Sequence, residues 1–412
     1  MTGASPGTRS HGREAAPPLL PVVLGGGVLL FTGFGTAYAI PIFFPVLSAA
    51  LAIPLPHLTR LFSTTGALYF SLGIVSGPLA DRIGARVIAA VGCAVLACGL
   101  VAMSWAGGER AFEAGYLLGV GGGVGLCFVP TVGAVQALCQ KNPAIAGSIV
   151  ASGIGIGTLV LPPLAQLMIV HVGWRQGLRV LGILAACGGL AALPLVMPGA
   201  ANDRSGVAVS SIRAPRLAEL LRSDRFLLLY AAQLLISAVA FVPFAHLIFF
   251  AEAMGWSAAT GGYLIGLIGI GSIGGRLLLG IVAQSLGACR VAGLCAVVMA
   301  LALALLPAAT NCWELGGDVA LYGLGYGGVI GLTGPVVAEV MGVRGICASV
   351  GLVTTSRAMG ILVGPWTVGL MADRLGGYDI PFLACSGLSL IGALLFGALD
   401  RACAAERNRK AA

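Results

Sequence analysis

The sequence predicts an all-α membrane protein of about twelve transmembrane helices, set out as two pseudo-symmetric six-helix bundles. Three observations predict it. Of 412 residues, 58% are hydrophobic and only 9% charged, where a soluble domain carries about 25% charged. Apolar stretches of spanning length, about 20 residues, recur along the whole chain. The second half also repeats motifs of the first at one constant spacing.

The apolar stretches fall near 19–46, 58–80, 87–106, 114–138, 145–170, 176–198, 226–250, 258–285, 290–308, 318–341, 346–371 and 379–399. The first exceeds a signal-peptide core and has no clear cleavage site, so it reads as a retained helix. Between the sixth and seventh lies the one long polar stretch, Ala200 to Arg225, holding five arginines and a short amphipathic segment around Arg216–Leu221. The chain therefore divides into a tail 1–18, a bundle 19–199, a linker 200–225, a bundle 226–399 and a tail 400–412. Lys and Arg fall about 16 to 5 in favour of the side bearing both termini and the linker, which places these in the cytoplasm. That bias also accounts for the net charge of +8 without a nucleic-acid partner. The short loops and compact length resemble those of bacterial inner (plasma) membrane proteins, and a monomer is expected.

The repeat is specific. GPLADRIG (Gly77–Gly84) and GIVAQSLG (Gly280–Gly287) align with 284 − 81 = 203. GTLVLP (Gly157–Pro162) and GILVGP (Gly360–Pro365) align with 365 − 162 = 203. Internal repeats of this kind mark secondary transporters, whose sites lie between the repeats near the bilayer midplane.

Eleven cysteines lie mostly inside apolar segments with no CxxC or CxH spacing, which supports neither a metal site nor a disulfide framework. No cofactor motif appears. GVGGGVG (Gly119–Gly125) has no strand before it and reads as a close-packing helix face, not a phosphate loop. With no nucleophile, histidine and acid in array, and no aqueous domain, an enzyme is not expected.

One residue stands out. Arg276 sits in the middle of YLIGLIGIGSIGGRLLLGIVAQ (Tyr263–Gln284). Its guanidinium stays charged at any accessible pH, and placing it at that depth costs about 3 kcal/mol on insertion scales. Such a group faces a cavity or a counter-charge, and no carboxylate lies nearby in sequence. A bound anion would serve as its partner. Backbone carbonyls, or a carboxylate on another helix, would serve as well. Arg357 is a second cation within a span, free to hold the same anion or to bond carbonyls left open by Gly351 and Gly360. His246 is the one group in the expected cavity with a near-neutral reference pKa, able to bind an anion or carry a proton. Tyr38 on the first helix, and Tyr322 and Tyr326 on the tenth, are candidate cavity walls.

GPLADRIGAR (Gly77–Arg86) resembles the loop 2–3 signature GxxxDRxGRR of the major facilitator superfamily. The resemblance implies that fold, with Asp81, Arg82 and Arg86 as a conformational latch. Gln284 stands for the acid in the second copy. Within that superfamily the chain resembles the monocarboxylate porters and their oxalate/formate-exchanging relatives. The resemblance rests on KNPAIAGSIVASG (Lys141–Gly153), GWR (Gly173–Arg175), PFAH (Pro243–His246), GRLLLG (Gly275–Gly280) and the stretch from Gly364 to Tyr378. It implies that Arg276 binds a substrate carboxylate and that Arg357 matches a basic residue of the exchangers. Two departures follow: Ser272 stands where proton-coupled members have an acid, and the first helix lacks their lysine. The expectation is a secondary transporter of small mono- or dicarboxylates, working by proton symport through His246 or by anion exchange. The alternatives are a drug or cation exporter of the same superfamily and a transporter-like receptor without turnover.

Overall fold

A computed structural model describes residues 19–138, 143–196, 223–341 and 346–411. The linker helix expected around Arg216–Leu221 lies outside these residues.

The described residues form twelve helical rods. α1 is Leu19–Ala39, continued by a 3-10 turn Ile40–Phe43 and by Phe44–Leu51. α2 is Leu55–Ser71 with Gly73–Ile83, α3 Ala85–Ser104, and α4 runs from Glu109–Ala114 through a π turn Gly115–Gly121 to Gly122–Leu138. Pro143–Val196 is continuous in hydrogen bonding, but Gly173 breaks it with φ 80 and ψ 160. It is therefore α5 (143–172) and α6 (174–196). α7 is Asp224–Ala240 with Val242–Ala253, and α8 is Ala258–Gly274, a π turn Gly275–Leu279, and Gly280–Leu286. α9 is Ala288–Leu305, α10 Cys312–Gly331 with Thr333–Met341, α11 Ile346–Leu375 and α12 Asp379–Ala411.

Eight described helical stretches are long and apolar enough to span a bilayer, or nine with the two pieces of α10, which meet at 43°. One of the eight, Ile149–Leu190, has 42 residues and carries the Gly173 break, so it crosses twice. The two rods left over are α2 and α11. They carry Ser63, Thr64, Thr65 and Thr354, Thr355, Ser356, Arg357 in their cores. Their lower apolarity has a physical reason: they pack on each other between the halves, where Gly66 lies against Ile361 and Gly369 beside Thr59.

The duplication is written into the backbone. Among the described residues, those with positive φ are Ala52, Gly84, Gly173, Gly255, Gly287 and Gly376. They form three pairs, 52/255, 84/287 and 173/376, each 203 residues apart. Gly84 and Gly287 precede α3 and α9 with nearly equal geometry, φ 97, ψ 131 and φ 93, ψ 143. The break in α2 at Leu72 also lies 203 residues before Gly275, where the π turn of α8 begins. Short turns of one shape at equivalent places force equivalent antiparallel helix orders, which is what two pseudo-symmetric bundles require.

The linker joins α6 to α7, and the bundle end where it does so is called the linker side below. Glycine seams hold neighbouring helices at backbone distance, as membrane packing favours. Gly99 faces Gly119, and Gly92 and Leu96 face Gly123, so the GVGGGVG run is a packing face of α4 on α3. In the second half, Gly271 and Gly275 of α8 interleave with Gly323 and Gly327 of α10. Between the halves, α8 packs on α5 through Gly262 with Gln166, Gly266 with Pro163, Gly269 with Leu159, and Ile273 with Gly155. The last part of α8, Gly280–Leu286, instead packs on α9 and on its own π turn.

Candidate functional site

Arg276 is the second residue of the α8 π turn, and its whole residue is 1% exposed. An extra residue in a helical turn re-aims the side chains that follow and recurs at functional sites. Here Leu277 and Leu278 are turned outward, 42% and 60% exposed, while the arginine is turned in. Gly275 lies on the α10 backbone at Leu324, which holds α8 at backbone distance from α10 beside the arginine.

The guanidinium reaches the junction of the halves. A Cβ built on Gly155 of α5 would fall 2.9 Å from Arg276 Nη1, and one on Gly331 of α10 would fall 3.3 Å from its Cγ. Nε, Nη1 and Nη2 are all buried and without a hydrogen-bond partner. Neither of the protein partners open to it on sequence grounds, carbonyls or a carboxylate, is met. Among the described residues the carboxylate classed as buried is Asp400, 7% exposed, and it is engaged with Arg290.

Arg357 of α11 is 5% exposed and donates through Nη2 to Thr333 Oγ1, just beyond the bend of α10. That hydroxyl in turn donates to the Val329 carbonyl at 3.1 Å. The two arginines lie within reach of each other's charge, and both lie within reach of the Tyr38 and Tyr326 hydroxyls. Those hydroxyls bond to each other at 3.0 Å, joining α1 to α10 across the halves. Tyr38 stacks on Phe244 at 4.5 Å, and Phe241 and Phe70 extend the aromatic wall. Tyr322 bonds the Val239 carbonyl where α7 is interrupted.

His246 is buried in α7, seven residues from its Ala253 end, about 10 Å along the helix. Its Nε2 lies 2.7 Å from the Pro365 carbonyl of α11, which only accepts, so Nε2 donates. Nδ1 then accepts from the Tyr378 hydroxyl at 3.3 Å. The structure thus brings Arg276, Arg357, Tyr38 and Tyr326 together, and sets His246 nearer the side away from the linker. Of the expected latch, the Asp81 and Arg82 side chains lie outside what is described, Arg86 is half-buried and Gln284 is exposed.

Sequence reasoning missed two features. The hydroxyls of Tyr69, Ser63 and Thr65 on α2, Ser272 Oγ on α8 and Gln233 Oε1 on α7 are buried without partners. Tyr69 lies within charge reach of Tyr38 and Tyr326. The low apolarity of α2 was the available signal. Glu339 accepts from the Ala288 and Cys289 amides at 2.8 and 3.0 Å, capping the start of α9. No nearby sequence signal links positions 50 residues apart.

The Major Facilitator Superfamily model matches residues 26–346. The chain belongs to that superfamily. Monocarboxylate transporter 11 of Homo sapiens is 29% identical over 344 residues, covering 80% of this chain and 71% of the relative. Monocarboxylate transporter 4 of Rattus norvegicus is 27% identical over 401 residues, covering 93% and 83%. The aspyridones efflux protein apdF of Emericella nidulans is 25% identical, covering 92% and 77%. The human organic anion transporter MFSD10 (TETRAN) superposes with a TM-score of 0.70 at 17% identity, over 92% of this chain and all of that one, which concerns the fold alone. The protein is an integral membrane transporter of the major facilitator superfamily, similar to monocarboxylate transporters, and not an enzyme.

Proposed function

We propose that the protein moves small organic carboxylates across the membrane by alternating access, with the carboxylate held by Arg276. The observation that carries this is the guanidinium itself: buried at the junction of the halves, with three nitrogens unpartnered. A planar carboxylate matches the guanidinium fork with two charge-assisted hydrogen bonds. The names of the monocarboxylate transporter relatives support the substrate class. Arg357, steadied by Thr333, adds the second cation, and the Tyr38 hydroxyl completes the site from the first half.

In this reading two uncompensated cations resist enclosure until an anion neutralises them, so the loaded carrier rocks more readily than the empty one. The halves are packed on the side away from the linker, which corresponds to one end state of that motion. The reading favours anion exchange, because both ring nitrogens of His246 are engaged. Proton symport would use His246 Nδ1, the accepting nitrogen. We extend the proposal to the domain division at 19–199 and 226–399, to cytoplasmic termini in a bacterial inner membrane, and to the latch at Asp81, Arg82, Arg86 and Gln284. A second reading, export of a bulkier organic acid, draws on the efflux relative and the aromatic wall.

The test is uptake of labelled mono- and dicarboxylates into proteoliposomes, with a pH gradient or with trapped unlabelled carboxylate. Flux with trapped anion alone supports exchange. Flux on a pH gradient alone supports symport through His246. Absence of flux with every carboxylate overturns the substrate class.

A further inference from the structure

An open groove of 620 Å³ runs between α9 and α12, away from the junction of the halves. Its floor is made by residues with little or no side chain, Gly293, Ala393 and Gly397, and nothing lies within 4 Å of a Cβ placed on Gly397. Its rims are Leu294 and Leu394, 52% and 73% exposed on a face whose other members are also bare apolar side chains. In a membrane transporter such a face meets hydrocarbon, so the groove is filled by an acyl chain or by another apolar surface.

The linker-side end of the groove is different. Arg290, Asp400 and Arg401 line it there. Asp400 Oδ2 accepts from both Nε and Nη2 of Arg290, at 3.1 and 3.0 Å. That fork holds the guanidinium upright while its side chain stays 57% exposed. Arg401 is also exposed. From Arg290 to Val297 is seven residues of helix, and from Arg401 to Leu390 eleven, about 10 to 16 Å. A groove that is apolar for about one leaflet of the bilayer and ends in two arginines at its membrane-surface end complements a glycerophospholipid in charge and polarity.

We infer that this groove is a binding site for an anionic glycerophospholipid, its phosphate on Arg290 and Arg401 and one acyl chain along Gly293 and Gly397. Asp400 is taken up by Arg290, and the neighbouring Glu339 by the Ala288 and Cys289 amides, which leaves Arg401 without either carboxylate, so a headgroup with net negative charge is held better than a zwitterionic one. Basic residues at the membrane surface favour anionic lipid by about fivefold each. Gly397 is where the chain needs the absence of a side chain.

The experiment is native mass spectrometry of the full chain, released from detergent with phosphatidylglycerol or phosphatidylcholine added at matched concentration. The expected result is retention of phosphatidylglycerol over phosphatidylcholine. Arg401→Gln, which leaves the Arg290–Asp400 fork intact, should lower phosphatidylglycerol retention about fivefold. Gly397→Leu, which fills open space, should lower retention of both lipids. Equal retention of the two lipids, or retention unchanged in both variants, overturns the inference. A dimer that Gly397→Leu dissociates would make the groove a contact between copies and would overturn it too. Arg290→Gln would strand the Asp400 carboxylate and so would mix a loss of stability with any loss of lipid.

Discussion

Replacing Arg276 by methionine separates an arginine kept for a ligand from one kept for the fold. Methionine preserves the unbranched stem that lies against Gly331 and removes the charge that lies against Gly155. The three guanidinium nitrogens are buried and without a hydrogen-bond partner in the protein. A buried unsatisfied group costs about 1–3 kcal/mol, more when charged. Exchanging buried ions for apolar side chains of similar volume is neutral or stabilising by about 1–4 kcal/mol. The ligand-free variant is therefore expected to be more stable than the wild type. For a chain of this size, about 1–2 °C per kcal/mol puts the rise in apparent Tm at about 1–8 °C. Binding moves the other way. Two charge-assisted hydrogen bonds at about 1.5–3 kcal/mol each amount to a loss of about 10²–10⁴ in carboxylate affinity. The assay is differential scanning fluorimetry of purified protein with and without carboxylate, beside uptake in proteoliposomes. Wild type should gain Tm with substrate, and the variant should start higher and not respond. An arginine that holds the fold predicts the reverse. A fall in ligand-free Tm together with uptake at the wild-type rate would refute the reasoning.

Tyr38→Phe and Tyr326→Phe should each weaken the closed arrangement by about 0.5–1.5 kcal/mol. In a double-mutant cycle read by Tm, the double variant should cost little more than either single, because each hydroxyl's partner is the other. Ala52→Gly should stabilise the protein by a few tenths to about 1 kcal/mol. It relieves a left-handed alanine at φ 54, worth about 1–2 kcal/mol, less the added freedom of the unfolded chain. The reciprocal Gly255→Ala should destabilise, and thermal melts of the pair check the sign. His246→Gln should retain transport on trapped anion and leave its pH profile flat between pH 5 and 8 if the ring is a tether between α7 and α11. Uptake measured across that range decides, and loss of pH-gradient-driven flux alone would assign the histidine to proton movement.

The spans and their order were legible because apolar length alone defines a membrane helix. Even α2 and α11, the least apolar, fall on the apolar stretches 58–80 and 346–371. Helix ends were less legible. α12 was expected over 379–399 and continues to Ala411, since Asp400 and the residues beyond can stay helical past the apolar core. Arg276 announced itself, because an unpaired cation at bilayer depth has few permitted explanations. Its setting did not. The Tyr38–Tyr326 bond joins positions 288 residues apart. Such pairs follow from how the two bundles meet, which local pattern does not encode. The left-handed Ala52 was hidden for a different reason: alanine is no marker of positive φ, and only Gly255 at the 203-residue offset points to it.

That offset also separates scaffold from site. The positive-φ turns and the α2/α8 irregularity recur in both copies. The chemistry does not. The positions equivalent to Arg276, Arg357 and Tyr326 in the first half are Gly73, Ile154 and Gly123, and the position equivalent to Tyr38 in the second is Phe241. The cations thus belong to the second half alone, while Tyr38 and Tyr69 supply hydroxyls from the first. Ion–carboxylate bonds exceed hydroxyl bonds in strength. When the halves rock, a bound anion is expected to stay with α8 and α11 and to exchange its weaker contacts with the first half. On that division of labour, a hydroxyl lost from Tyr38 or Tyr69 should change the rate of the conformational step more than the affinity. The loss of Arg276 should abolish binding before any motion begins.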